Sequence, residues 1–341
     1  MKKTNAFKAI PLLTLFIFLT SCSHSRLDVD VSKIAIPEIT VNRLDQEMFR
    51  MTPENISAES KKLENKYGIF YAHLISNFIN DGGIQDTSYV EHLKRFISDP
   101  SMREAYDSCE IKYPDMTFLK TGLTEAFQHF KYYFPDKKLP KVVVLMSGFN
   151  YSIVNFDGYL GVCLEMYLGS NCRFYPMLQL PQYKTIDMSK PYMVSDCIKG
   201  WMNTVFPQNE LKNNFLTNII HAGKILYATD AMLPDMNDTL KTGFTKKQTD
   251  WCYKNEYNMW AFFIQQKMLY SNDFTEIVKF TNEGPFTAAF NKESPARTGN
   301  WIGWRIVQSY MNQHPEISLQ QLMNEKDCEK ILLESKYKPS K

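Results

Sequence analysis

Ser195 and Lys199 stand one helical turn apart in Met193–Val205 (MVSDCIKGWMNTV), a spacing that brings a hydroxyl and an amine onto one face. A serine beside a lysine of lowered pKa is a hydrolytic pair in which the amine acts as base. Asp196 lies between them, and the same residues equally describe a solvated face carrying an Asp196–Lys199 ion pair. A second pair, His221 and Lys224, lies three apart in Asn218–Pro234 (NIIHAGKILYATDAMLP). Glu256, preceded by Asn255, falls between Trp251 and Trp260, where burial against rings raises a carboxyl pKa unless a base pairs with it. Arg297 and Arg305 bracket Trp301 and Trp304, a setting for cation–π contact. If one cleft gathers these groups, its lining is Ser195, Asp196, Lys199, His221, Glu256, Arg297, Trp301 and Trp304.

Metal chemistry finds no ligand set here. Zinc needs three or four N, S or O donors on convergent positions. None of the six histidines has a histidine partner at i+3 or i+4. Neither a metal nor a cofactor is expected.

Helices must carry most of these groups. Phe215, Ile219, Ala222 and Leu226 form one apolar row, with Leu216, Ile220, Gly223 and Tyr227 beside it, in a buried helix expected to begin near Leu211. Gly223 sits between its bulkiest turns at a cost of about 1 kcal/mol relative to alanine. A cost taken at that place predicts close approach by another backbone. Before this, helical spacing covers Ser60–Tyr67, Phe70–Ile79, Tyr89–Ile97, Met102–Glu110 and Met116–Phe134, with Val41–Phe49 ambiguous. The period then changes. Lys141–Met146 is a β-branched strand, and Tyr151–Phe156 and Tyr159–Leu168 form a hairpin about Asp157-Gly158. Helices resume at Met193–Val205, Lys246–Met268, Trp301–Met311 and Leu319–Leu322. The expected fold is α+β, mainly helical with a small strand and hairpin sheet.

At the start, Lys2, Lys3 and Lys8 precede the apolar Ala9–Leu19, which is too short to span a bilayer. Leu19-Thr20-Ser21-Cys22 then resembles a bacterial lipobox, implying cleavage before Cys22 and its lipidation. The expected organisation is a signal peptide (1–21), lipidated Cys22 with a tether (22–36), and one domain (37–341). Of 39 basic residues cleavage removes three lysines, leaving 36 against 37 acidic ones. So neutral a chain lacks the electrostatic footprint of a nucleic-acid binder. With 44% hydrophobic residues, including 23 Phe and 19 Tyr, it can bury a large core. The six cysteines beyond Cys22 permit disulfides or serve as small core residues, and Cys163 and Cys172 could meet across a hairpin.

Helices, a small hairpin sheet, and two facing helices resemble the gluzincin type of zincin-like peptidase. There the first helix carries HExxH, but Ser195-Asp196-Cys197-Ile198-Lys199 stands in that place. Ala222 stands where a ligand glutamate would precede glycine, so the resemblance implies a fold whose metal site is lost. A closer match covers nearly all of the mature chain. Glu165-Met166-Tyr167-Leu168-Gly169, Gly223-Lys224-x-Leu226-Tyr227, Asn255-Glu256-x-x-x-Trp260 and Arg297-x-Gly299-x-Trp301-Ile302-Gly303-Trp304 resemble the gliding-motility lipoprotein B (GldB) family of Bacteroidetes. That resemblance implies a non-enzymatic, membrane-anchored envelope lipoprotein with protein partners and no catalytic residue. Ser23-His24-Ser25-Arg26 lacks the acidic cluster that resembles surface-export signals, which points to the periplasmic face of the outer membrane. The alternatives are a hydrolase using Ser195 and Lys199, and a lipoprotein that binds peptide or glycan in an aromatic cleft.

Overall fold

The computed structural model describes residues 26–79, 82–208 and 213–341. Cys22 and Leu211 lie outside them. The fold is α+β and mainly helical. Strands β1 (Val41–Arg43), β2 (Lys141–Leu145), β3 (Ile153–Phe156) and β4 (Tyr159–Cys163) form one sheet in the order β1-β2-β4-β3. β1 runs parallel to β2 and β2 parallel to β4, while β3 pairs antiparallel with β4. Val142 to Leu145 and all of β4 are buried, as expected where parallel neighbours are covered on both faces. Asp157 and Gly158 turn the hairpin with φ of 50° and 75°, the positive pair that a two-residue type I′ turn requires. Val41–Phe49 resolves into both readings, strand β1 followed at once by the helical turns Leu44–Phe49.

The third predicted strand stops early, at Cys163. Leu164–Tyr167 instead coils into a 3-10 turn that carries Glu165 inward. One carboxylate oxygen of Glu165 accepts from the Ser147 amide (2.5 Å), the Ser147 hydroxyl (2.8 Å) and the Phe149 amide (3.3 Å). The other oxygen is buried without a partner. Burial pushes this carboxyl up to about 6, the hydrogen bonds from Ser147 opposing it only in part. The native state therefore holds the proton more tightly than the unfolded chain. Its stabilising contribution is full below about 4.5 and is lost as pH rises through about 6. Denaturant midpoints measured between those values should fall with rising pH more steeply in the parent than in Glu165→Gln. Parallel slopes would contradict the assignment.

Helices α1 (Ile56–Tyr67), α2 (Tyr89–Ser98), α3 (Pro100–Lys112) and α4 (Thr117–Tyr133) precede the main strands. Asp99 both ends α2 and starts α3. The Asp99 carboxylate accepts from the Met102 amide at 3.0 Å, and Pro100 takes the first helical position, where no amide is needed. Phe70–Ile79 divides into Ile69–Leu74 and a π turn at Ile75–Ile79.

After the sheet come α5 (Met193–Val205), α6 (Phe215–Met232), α7 (Lys246–Gln265), α8 (Phe274–Thr281), α9 (Thr298–Gln313) and α10 (Cys328–Ser335). α6 starts four residues later than expected, because Asn214 and Thr217 exchange side-chain and backbone hydrogen bonds in a capping box. Its centre is the crossing with α9. A Cβ on Gly223 would lie 2.7 Å from the Trp304 amide nitrogen, and one on Gly303 would lie 3.1 Å from the Ile219 Cα with the Ile219 carbonyl closer still. Gly299 meets the Phe280 carbonyl and Ile219 one turn earlier. The backbone approach inferred from Gly223 is therefore α9, which offers glycine in return.

Two expectations need correction. Residues 26–36, read as part of a tether, pack on the domain with Leu27 and Val31 buried. Ala222 and Leu226, placed in the buried row of α6, are only half-buried, because the row shifts toward Gly223 and Ala228 where α9 crosses. The choice left open for the thiols is also decided for the described residues. None of these six cysteines is in a disulfide, and Cys163 is a core residue of β4.

Candidate functional site

α5 contacts both β3 and β4 and also packs against α6. Ser195 faces that interior. It is fully buried and its hydroxyl has no hydrogen-bond partner. Lys199 turns the other way, its Nζ 2.9 Å from Asp196 Oδ1, while Asp196 Oδ2 accepts from the Tyr167 hydroxyl at 3.0 Å. The serine–lysine pair does not form, and the Asp196–Lys199 ion pair does. Spacing alone could not separate the two, since both use one helical turn.

Beside Lys199, a cleft of ≈ 330 Å³ opens between α5, α6 and the first turn of α9. Lys199, His221, Arg297 and Trp301 line it, so four of the eight sequence candidates do meet. His221 Nε2 lies 3.2 Å from the Asn203 side-chain oxygen. Burial and then neighbouring Lys224 pull its imidazole down to about 4, leaving it neutral at physiological pH. Arg297 precedes α9 in the left-handed region, with φ of 57°, and its guanidinium stacks 5.4 Å from the Phe244 ring centroid. Among the described residues its guanidinium makes no hydrogen bond or ion pair. Gly243, itself at φ 73°, leaves room for it. A Cβ there would sit 3.0 Å from an Arg297 nitrogen and 3.2 Å from an Asp187 oxygen. Burial, then Asp196, push the Asp187 carboxyl up to about 6, with the Arg297 charge opposing them.

Trp301 and Trp304 are each only 1% exposed, so neither offers a face on which a sugar could stack. The Trp301 indole nitrogen has no partner. Trp304 lies on the far side of the crossing, where its Nε1 donates to Asp230 Oδ2 at 2.7 Å. Asp230 in turn stands 2.8 Å from Lys241 Nζ, which also pairs with Asp238 at 2.9 Å. Burial alone would pull the Lys241 ammonium down, but Asp230 and Asp238 together more than offset it and raise its pKa.

Glu256 lies apart from the first cleft, on a second one of ≈ 1010 Å³. It accepts from Arg305 Nε at 3.0 and 3.1 Å and from the Tyr337 hydroxyl at 2.8 Å. It is thus the acid paired with a base. Lys241 touches both clefts. Sequence reasoning missed Asp187, Lys241 and Gly243. Asp230, the one acid on the largely buried α6, was the signal for a buried cation.

Residues 24–339 match the family model described as gliding motility protein GldB. The chain belongs to the GldB family. The match takes in both clefts, the glycine crossing and Arg297. No curated protein and no solved structure matches the chain, so the likeness to gluzincin peptidases gains no support. Among the described residues of this GldB chain, no group of three histidine, cysteine or acidic side chains could hold a metal, and no helix is long and apolar enough to cross a membrane.

Proposed function

We propose that this GldB-family lipoprotein is a non-catalytic interaction protein of the gliding-motility and secretion apparatus. It is anchored in the outer membrane through Cys22, faces the periplasm, and takes a carboxylate of an envelope protein partner on Arg297. The observation that carries this reading is the contrast among charges in the smaller cleft. Lys199 and Lys241 are spent in ion pairs and His221 is neutral, whereas Arg297 is presented over Phe244 without a hydrogen-bonded partner. A guanidinium held in one orientation suits bidentate recognition of a carboxylate, from an acidic side chain or a chain terminus. The left-handed backbone at Arg297 costs about 1–2 kcal/mol that glycine would not, and strain kept at a cleft favours a functional reason.

Arg297→Gly should therefore unfold at the same or a higher denaturant concentration than the parent, yet lose photo-crosslinks from a probe at Asn203 to envelope proteins. Crosslinks of parental strength in Arg297→Gly would reject the assignment. The hydrolase alternative rests on Ser195 and Lys199. Hydrolysis of a peptide or ester substrate that vanished in Ser195→Ala would replace our reading with that one.

A further inference from the structure

The chain is fixed to the domain almost immediately after the lipobox cysteine. Arg26 Nη1 donates to the Met311 carbonyl at 2.6 Å, and Nη2 to the Ile317 carbonyl at 2.7 Å. The His314 and Pro315 carbonyls lie at 3.3 and 3.4 Å. These groups close the C-terminal end of α9, where unpaired carbonyls and the negative end of the helix dipole favour a cation. Leu27 is buried directly after it, and its carbonyl lies 3.5 Å from the Tyr133 hydroxyl of α4.

Three residues, Ser23, His24 and Ser25, separate Cys22 from Arg26. Four Cα steps reach about 14 Å at full extension. Acyl chains on Cys22 must lie in the hydrocarbon core, and the headgroup layer above it takes up about 5–8 Å of that reach. Little slack remains, so the anchor dictates which face of the domain meets the lipid.

We infer that the face around Arg26 rests on the phospholipid headgroups, with the ≈ 1010 Å³ cleft opening against the membrane. The surface there fits that partner. Arg26, Lys336 and Lys338 line the cleft and are exposed, with Lys341 following at the end of the same tail. Asp28 and Asp235 share the lining and moderate the charge, which suits a headgroup layer of mixed character. Apolar side chains stand out on the adjoining elements. Leu333 of α10 is 79% exposed and Tyr132, next to Tyr133, is 46% exposed. Aromatic and aliphatic groups flanked by lysines are the composition of a membrane interface.

This inference depends on the lipid anchor of the proposed function, and the test separates the two. Full-length lipidated protein is placed in vesicles of phosphatidylethanolamine and phosphatidylglycerol bearing a headgroup quencher. A fluorescent amino acid replaces Lys338 in one sample and Met177, which is 71% exposed in the turn after the sheet, in the other. Quenching should be severalfold stronger at position 338 than at 177. A twenty-residue Gly/Ser insertion after Ser25, combined with Arg26→Ala, should abolish that contrast. Equal quenching at the two positions in the lipidated parent overturns the docking face and leaves the anchor standing. A mature chain whose Cys22 carries no acyl mass overturns both.

Discussion

Gly303→Ala should lower stability by about 3 kcal/mol or more, with a fall in melting temperature of about 5 °C. The new methyl group would be driven into the Ile219 carbonyl and lie 3.1 Å from the Ile219 Cα. Those atoms belong to the backbone of α6, inside an intact hydrogen-bond ladder, so no side chain can swing away to make room. The two helices must separate. Separation would also loosen Trp301, Trp304, Ile220 and Tyr227, all buried along the same seam. Gly223→Ala presses from the other helix against the Trp304 amide, and the two substitutions together should cost less than their sum, since one separation relieves both. Gly284→Ala is the control: its nearest neighbours would be the Ala296 Cβ at 3.7 Å and the Phe286 carbonyl at 3.8 Å, ordinary contact distances. Thermal and urea unfolding of the three variants decide the matter. A Gly303→Ala protein that melts with the control would mean that the crossing is looser than described.

Asp230→Ala should be nearly as damaging, at about 3–5 kcal/mol. Its carboxylate satisfies the Trp304 indole at 2.7 Å and the Lys241 ammonium at 2.8 Å, and both partners are buried. Removing it leaves Lys241 with Asp238 alone, a side chain that is 42% exposed and able to compensate little. The damage comes from an unpaired buried charge, which makes a second prediction about the same pair. Asp230→Ala combined with Lys241→Met removes the charge along with its partner and should recover most of the lost stability. Denaturant titration of the two single variants and the double variant forms the cycle. If the double variant is as unstable as Asp230→Ala, packing around Trp304 rather than charge is what Asp230 supplies.

Much of the framework could be read from residue spacing, because it depends on local rules. The Asp157-Gly158 hairpin, the apolar run of β2 and the unusual glycine of α6 all announce themselves within one window of sequence. The meeting of Lys199, His221, Arg297 and Trp301 follows once α6 and α9 cross at their glycines. Other features depend on partners far along the chain, and no periodicity marks them. Asp187 and Lys241 come from a loop and a five-residue helix, and only tertiary packing brings Asp187 near Arg297 and Lys241 to the clefts. Glu165 continues an apolar strand pattern, yet it turns inward because Ser147 and Phe149 offer their amides. Ser195 and Lys199 have the right spacing for a dyad, but spacing does not say which of them faces water. Arg26 reads as one more polar residue of a tether until the open end of α9, nearly three hundred residues away, receives it.

The periplasmic placement proposed above would carry the thiols of this chain into an oxidising compartment. Cys109, Cys163 and Cys197 are enclosed, and burial raises each thiol well above its ordinary value. Cys252 is also enclosed and raised by burial. Only the thiolate attacks a disulfide or reacts with an oxidant, so once folded these four sulfurs are chemically silent. Oxidative damage and misbridging are hazards of the unfolded chain, before the core closes. Under the periplasmic placement proposed above, closure of the core on folding is then what shields these four thiols.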